Sequence, residues 1–313
     1  MLIHARAAVL SAAGIDQTVT ERAAKLIMRL WPALRETFIG RPEYEIFRTL
    51  RDGGLGMVGA GGLLRMLAQP ALPVPTSEVD AIRDRILEVF SESLINKDDR
   101  LDVISGIAGS VGPLIDQPGS AEDDRIRTTL RMIADHLLAG QDAQTGGWFT
   151  PIAPRPLTGY AHGASGIGLA LLRAGVSLKD ERCLAAGVRA FGYERSQFDQ
   201  DEGNWFDLRP QASARFMVAW CHGAAGIGLA RARAIQLLPD HPEAAQWRKD
   251  VDRAGTAVAA SPLLSADHLC CGNAGRSAAL RALGRWTGNR TFIAANEAIE
   301  GAMLANWRAT GSV

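Results

Sequence analysis

Three short segments of the chain share one pattern: Ala161-His162-Gly163-Ala164-Ser165-Gly166, Cys221-His222-Gly223-Ala224-Ala225-Gly226 and Cys270-Cys271-Gly272-Asn273-Ala274-Gly275. Each contains a Gly-x-x-Gly pair that is followed by a run rich in small and apolar residues. Similar pairs begin at Gly106 and, earlier, at either Gly56 or Gly59. The pairs recur every 50 to 60 residues or so, and periods of about this size are typical of arrays or closed rings of supersecondary units.

The runs that follow the glycine pairs are hydrophobic on nearly all sides, which predicts buried helices. More amphipathic segments lie between them and predict second helices over 124–138, 181–193, 243–259 and 290–307. Long runs of alternating β-branched residues are lacking, so no sheet is predicted. We therefore expect an all-α fold, an (α/α) toroid or barrel with inner helices enclosed by outer ones. An open solenoid is the alternative, although its repeats are usually shorter.

The repeats indicate one domain over residues 1–313. Residues 1–45 are expected to form a partial first repeat without its inner helix, and residues 46–307 the motif-bearing repeats. Only one inner-helix pattern follows Cys271 before the sequence stops at Val313. We therefore expect a toroid that lacks its closing repeat.

Composition excludes several classes of partner. The 313 residues are 47% hydrophobic and carry 34 basic and 34 acidic side chains, so the formal net charge is zero. This balance gives no reason to expect a nucleic acid or an anionic membrane as partner. No stretch approaches the roughly 20 apolar residues of a transmembrane segment. Four cysteines, two of them adjacent, suit a reducing compartment, so a cytoplasmic location is expected.

Three of the four cysteines, Cys221, Cys270 and Cys271, recur at the same place in the repeat, so a ring would bring them to one cavity. Zinc prefers tetrahedral nitrogen and sulfur ligands, and a catalytic zinc keeps one position open. Three thiolates already neutralise the ion, which disfavours activation of water and favours activation of a substrate thiol. The alternative is a buried pair of unreactive thiols at a helix start.

The runs 159–167 and 219–227, the Cys-Cys-Gly-Asn-Ala-Gly run and the segment Leu101-Asp102-Val103-Ile104-Ser105-Gly106 resemble the motifs of the lanthionine synthetase cyclase family. They are most similar to the cyclase domains of class II lanthipeptide synthetases with three zinc cysteines. The resemblance implies a zinc-bearing toroid that adds a peptide cysteine thiol to dehydroalanine or dehydrobutyrine and closes a thioether ring. It also implies a dehydrated leader–core precursor peptide as partner, supplied by a separate or fused dehydratase.

On these motifs the zinc ligands fall on Cys221, Cys270 and Cys271, with Cys271 where most members have histidine. His162 matches the histidine beside the metal, and an imidazole suits the proton transfers of the reaction. Asp102 matches the carboxylate that orients this histidine, and His222 is expected to line the cavity. The alternatives are a His162 that is bound by a backbone carbonyl and an Asp102 that caps a helix.

Some stand-alone cyclases of the family carry an arginine four residues before the first zinc cysteine, where this chain has Met217, and Arg215 is the expected substitute. Two other functions stay open. One is a non-catalytic, zinc-bearing peptide-binding module. The other is a glycoside-processing (α/α) barrel, which would need paired carboxylates at the cavity mouth; Asp102 has no matching partner in the repeat.

Overall fold

The chain is described here by a computed structural model over residues 17–39, 54–69, 72–212 and 214–310. In these ranges it forms twelve helices and one small sheet: α1 Gln17–Ile39, α2 Ala60–Leu67, α3 Thr76–Val89, α4 Glu92–Ile95, α5 Ala108–Ile115, α6 Asp124–Ala139, α7 Ala164–Leu178, α8 Glu181–Ser196, β1 Phe198–Asp199, β2 Asn204–Trp205, α9 Ala224–Leu237, α10 Ala244–Ala260, α11 Asn273–Thr287 and α12 Arg290–Thr310. The predicted all-α class is confirmed. Among the described helices, none combines the length and apolarity needed to cross a membrane.

The described residues divide into two compact units. Unit 1 comprises the chain up to Asp98 together with Ser105–Ile133, and unit 2 comprises Asp99–Ile104 together with the chain from Ala134 onward. Within unit 1, α2 packs against α3 and α5, and α1 packs against α3. All the predicted site residues belong to unit 2.

Unit 2 alternates inner and outer helices. Helix α7 packs against α8, α9 against α10 and α11 against α12, while α9 also contacts both α7 and α11. The inner helices are more buried than the outer helix α12. In α7, 11 of the 15 residues are buried, and in α9, 10 of the 14, whereas in α12 only 3 of the 21 are buried. The helices that follow the glycine pairs are therefore the inner ones, as predicted from their apolar sequence.

The helix boundaries agree closely with the sequence pattern. The four predicted outer helices are α6, α8, α10 and α12, and each boundary lies within three residues of the prediction. Helices α7, α9 and α11 begin directly after the first glycine of their pairs, at Gly163, Gly223 and Gly272. Helix α2 begins directly after Gly59, which makes Gly59 rather than Gly56 the glycine in register.

The second glycine of each pair lets the preceding loop fold back on the first turn of its helix. A Cβ atom at Gly166, Gly226 or Gly275 would lie only 2.0, 2.0 or 2.1 Å from the carbonyl oxygen six residues earlier. No side chain fits at such a distance. A Cβ atom at each of these glycines would also lie within 3.5 Å of a side chain from the preceding repeat, which is Val103 for Gly166, Tyr160 for Gly226 and Trp220 for Gly275. Each of these side chains lies three positions before the first glycine of its own repeat. Small residues here therefore allow neighbouring repeat loops to approach closely.

The prediction that no sheet forms is wrong at one hairpin, where β1 and β2 pair antiparallel. Asp199 accepts two backbone hydrogen bonds from the turn, and Gly203 has a left-handed φ of 62°. Trp205 is completely buried and packs edge-on against Phe198, with 4.7 Å between ring centroids. Strands of two residues are too short to show an alternating pattern, which is why the sequence does not reveal them.

Three expectations stay predictions. The partial first repeat in residues 1–45 lies largely outside the described residues, which contain only α1 from that segment. The missing closing repeat, which is expected from the pattern after Cys271, also stays a prediction. The single domain over residues 1–313 is likewise neither confirmed nor contradicted by the two compact units.

Candidate metal centre

Three segments of unit 2, each of which precedes a glycine pair, are hydrogen-bonded to one another in a row. The Val103 N–H donates to the Ala161 carbonyl at 3.0 Å, and the Ala161 N–H donates to the Cys221 carbonyl at 2.9 Å. Asp102 and His162 each adjoin one of these bonded residues. Backbone hydrogen bonds therefore hold these segments of successive repeats side by side.

The sulfur atoms of Cys221, Cys270 and Cys271 all lie within 4.8 Å of one another, and those of Cys221 and Cys271 are 3.6 Å apart. Two thiolates on one tetrahedral zinc, each with a bond of about 2.3 Å, lie about 3.8 Å apart. The spacing of these sulfur atoms therefore fits a single zinc ion. Cys221 is buried, Cys271 is half-buried and Cys270 is exposed, so the cluster is accessible from solvent on one side.

The three thiols differ in their tendency to ionise. A hydrogen bond from the Cys221 thiol lowers the pKa of Cys270 to about 6, whereas that same hydrogen bond, together with burial, raises the pKa of Cys221. Burial also raises the pKa of Cys271. A bound cation would favour the thiolate form of all three, so binding would release protons. The fourth cysteine, Cys183, is buried in α8, where burial raises its pKa to about 12.

His162 and Asp102 form a short hydrogen bond, with 2.5 Å between His162 Nδ1 and Asp102 Oδ2. The Asp102 side chain is 1% exposed and that of His162 is 24% exposed. Because a carboxylate only accepts, Nδ1 carries the proton and Nε2 is the basic nitrogen. At the start of α5 it is Asp98 that accepts the Ile107 N–H, at 2.9 Å. The structure thus places Asp102 where it can orient His162.

His222 lies against His162, with 5.6 Å between the ring centroids and 26° between the ring planes. Only 2% of the residue is exposed. Burial, reinforced by the positive charge of Arg209, lowers the pKa of His222 to about 4. Its imidazole is therefore neutral at pH 7.

Arg209 is a candidate site residue that the sequence analysis missed. Its Nη2 donates to Asp207 Oδ2 at 2.7 Å and its Nε donates to Asp207 Oδ1 at 3.0 Å. The same Nη2 lies 2.9 Å from the Met217 sulfur. The hydrogen bonds with Asp207 raise the pKa of Arg209, and negative charge on Cys221 and Cys271 acts in the same direction. Arg209 is therefore a permanent cation in contact with Met217, four residues before Cys221.

Arg215, the arginine expected from the sequence, has a different environment. It is exposed, and its guanidinium lies over the Phe206 ring, 4.7 Å from the centroid. The structure brings Arg209, from eight residues before Met217, into contact with the Met217 side chain. No local sequence signal distinguishes the two arginines, because both stand in the loop between β2 and α9.

Comparison with known proteins identifies the family. Residues 8–303 match the model of the lanthionine synthetase C-like proteins. The chain belongs to this family. Among solved structures, a nisin cyclase is similar with a TM-score of 0.59 and 16% identity, over 89% of this chain and 85% of the cyclase.

A second solved structure widens the comparison. A sugar epimerase from a ruminal bacterium is similar with a TM-score of 0.54 and 10% identity, over 87% of this chain and 86% of the epimerase. No curated protein has a significantly similar sequence. At these identities the structural likenesses concern the fold alone, and they confirm the predicted fold class for this member of the lanthionine synthetase C-like family.

Proposed function

We propose that the chain is a zinc-dependent lanthipeptide cyclase, which adds a peptide cysteine thiol to dehydroalanine or dehydrobutyrine and so forms lanthionine or methyllanthionine. The observation that carries the proposal is the cluster of Cys221, Cys270 and Cys271, which has the spacing of a metal site. Family membership and the contact between His162 and Asp102 support it. The substrate is a dehydrated leader–core peptide, supplied by a separate or fused dehydratase.

The three cysteines hold the metal. When bound, zinc lowers the pKa of a thiol that it coordinates, so that a substrate cysteine is a thiolate near neutral pH. Cys271 stands where most family members have histidine, so this ligand set carries one more negative charge. With three cysteine ligands, the ion would still be able to bind a substrate thiol.

His162 transfers the proton. Its Nε2 takes the proton of the substrate thiol, because Nδ1–H is held by Asp102. The sulfur then bonds to the β-carbon of the dehydro residue, and the electron pair of the C=C bond shifts toward the carbonyl to give an enolate. His162 returns the proton to the α-carbon, so no proton is gained or lost overall. Between these steps the buried Asp102 carboxylate stabilises the imidazolium.

Arg209 supplies positive charge for the enolate. A fixed cation near the point where negative charge develops lowers the barrier, because it needs no reorganisation during the reaction. Both carboxylate oxygens of Asp207 hold the guanidinium in place. His222 is neutral at pH 7, so it lines the site without competing as an acid.

The fold does not select this chemistry by itself, since a sugar epimerase has a similar fold. The side chains favour thiol chemistry. A glycoside-processing site would need two carboxylates that flank the sugar, whereas Asp102 contacts His162 and Asp207 contacts Arg209. Three soft sulfur ligands suit a metal that binds another thiol. A zinc-bearing module that only binds peptides would have the same ligands and would differ in lacking turnover.

Metal analysis and a cyclisation assay test the proposal together. The purified chain is expected to hold one zinc ion and to close rings in a dehydrated test peptide, measured as loss of alkylatable thiol by mass spectrometry. The double variant Cys270→Ala/Cys271→Ala should lose both properties. Cys183→Ala is the matched control, because it removes a buried cysteine outside the cluster, and it should keep both.

Two outcomes would contradict the proposal at different points. Zinc at full occupancy in the double variant would show that the ligands lie elsewhere. A zinc-loaded wild-type chain that binds a dehydrated peptide but leaves every thiol alkylatable would be a binding module rather than a cyclase.

A further inference from the structure

A buried ion pair lies among the helices that carry the site. Glu194 on α8 and Arg231 on α9 are both completely buried, with 2.8 Å between Arg231 Nη2 and Glu194 Oε2. The Arg231 guanidinium also lies over the Phe191 ring, 3.6 Å from its centroid. Removing two charges from water costs free energy that their attraction often fails to return, and apolar residues of similar volume frequently pack as stably. Stability alone therefore does not account for this pair.

The carboxylate of Glu194 contacts the chain on both sides of His162. Its Oε1 accepts the N–H of Gly159, three residues before His162, at 2.6 Å. Its Oε2 accepts the hydroxyl hydrogen of Ser165, three residues after His162, in the first turn of α7. Arg231 Nη1 in turn donates to the Ser165 hydroxyl at 3.1 Å. One buried carboxylate thus ties together the two ends of the segment that presents His162.

This segment is held on its other side by backbone hydrogen bonds. The N–H groups of Tyr160 and Ala161 both donate to the Cys221 carbonyl, at 3.1 and 2.9 Å. Gly159 has a left-handed φ of 95°, a conformation that a side chain would disfavour. Glu194 supplies the acceptor for the Gly159 N–H, so its carboxylate holds the turn at this residue.

We propose that Glu194, held in place by Arg231, is a positioning residue for His162. Its carboxylate fixes the turn at Gly159 and the first turn of α7, and so sets the direction in which the imidazole reaches Asp102. The proposal rests on the proposed function, in which His162 moves the proton. A displacement of about 1 Å at a catalytic group can slow a reaction about a hundredfold.

A matched control is available on the opposite side of Arg231. Asp250 on α10 is completely buried and contacts Arg231 Nε at 3.4 Å and Arg195 Nε at 3.4 Å. Its ion pairs are with arginines of α8, α9 and α10, not with the His162 segment. Asp250→Asn therefore changes the charge of the same network without removing an acceptor from the segment.

The experiment compares Glu194→Leu/Arg231→Met, Glu194→Gln and Asp250→Asn with the wild-type chain. Zinc content, amide hydrogen exchange at Gly159, and kcat and KM for a dehydrated peptide are measured. The double variant replaces the pair by apolar groups and should keep its zinc. Its Gly159 amide should exchange at least about tenfold faster, and kcat should fall about tenfold to a hundredfold at an unchanged KM. Asp250→Asn should retain wild-type exchange and kcat.

Glu194→Gln gives an independent check, since its amide oxygen can still accept the Gly159 N–H while the charge is lost. It should lie between the wild-type chain and the double variant in both exchange and kcat, and it serves as the test if the double variant does not fold. Wild-type exchange at Gly159 in a folded Glu194 variant would overturn the proposal. So would an equal loss of kcat in Asp250→Asn, because the network would then act only on stability.

Failure of the proposed function is distinguishable from failure of this inference. If the wild-type chain closes no ring, the cyclase proposal is wrong, yet exchange at Gly159 still reports on the turn. Faster exchange in the Glu194 variants but not in Asp250→Asn would support the positioning of the His162 segment. Equal exchange in all of them would overturn it.

Discussion

The short contact between His162 and Asp102 is expected to control the rate of ring closure, and Asp102→Asn tests it. The substitution keeps the shape of the side chain but removes the charge that stabilises the imidazolium. The contact is 2.5 Å long and Asp102 is completely buried, so it belongs to the class of charged hydrogen bonds, each worth about 1.5 to 3 kcal/mol. At about 1.4 kcal/mol per factor of ten, kcat should fall roughly 10- to 150-fold.

The assay follows steady-state cyclisation of a dehydrated peptide near neutral pH, with zinc content and melting temperature measured on the same samples. KM should stay near the wild-type value, because Asp102 is buried and contacts His162 rather than solvent. Asp180→Asn is the control. Asp180 caps α8 by accepting the Arg182 N–H, and asparagine caps a helix about as well.

A folded, zinc-loaded Asp102→Asn variant that cyclises at the wild-type rate would refute the reasoning, since His162 would then not depend on the carboxylate. Loss of zinc in this variant would also refute it. Asp102 would in that case act on the metal site rather than on proton transfer.

Three further outcomes are expected. Cys271→His should retain zinc but close rings more slowly, because a neutral imidazole removes one negative charge from the ligand set; an unchanged or faster rate would contradict this. Gly226→Ala should lower the melting temperature sharply, since its Cβ would lie 2.0 Å from a carbonyl oxygen. A Cβ at Gly192 would meet no atom within 4 Å. Gly192→Ala should therefore stabilise α8 by about 0.5 to 1 kcal/mol. Similar melting of these two variants would count against the packing described. Burial raises the pKa of Cys183 and of Tyr193 to about 12. Their pKa values in the unfolded chain are lower, near 9 and 10. The stability that both groups contribute should therefore be lost as the pH rises from about 9 to 12. Chemical denaturation of Cys183→Ala/Tyr193→Phe over that range should show a flatter decline, and an identical decline would argue against these groups as the cause.

Much of the fold and of the cysteine cluster could be predicted from the sequence because both follow from the repeat. A residue at a fixed offset from a glycine pair occupies the same place in every repeat loop. Cys221 and Cys271 lie two and one positions before the first glycine of their pairs, and their sulfur atoms, fifty positions apart in the sequence, are 3.6 Å apart in the structure. The outer helices were equally predictable, since amphipathic periodicity and helix length are local properties.

Only the tertiary structure shows which residues outside this repeat register contact the site. Arg209 contacts Met217, whereas Arg215 lies over the Phe206 ring, and Glu194 with Arg231 holds the His162 segment. These positions do not repeat, and a charged residue looks the same in a sequence whether it is solvated or buried. Its partner is selected by distance and by the need to satisfy every buried charge, and both depend on how helices far apart in the chain pack together.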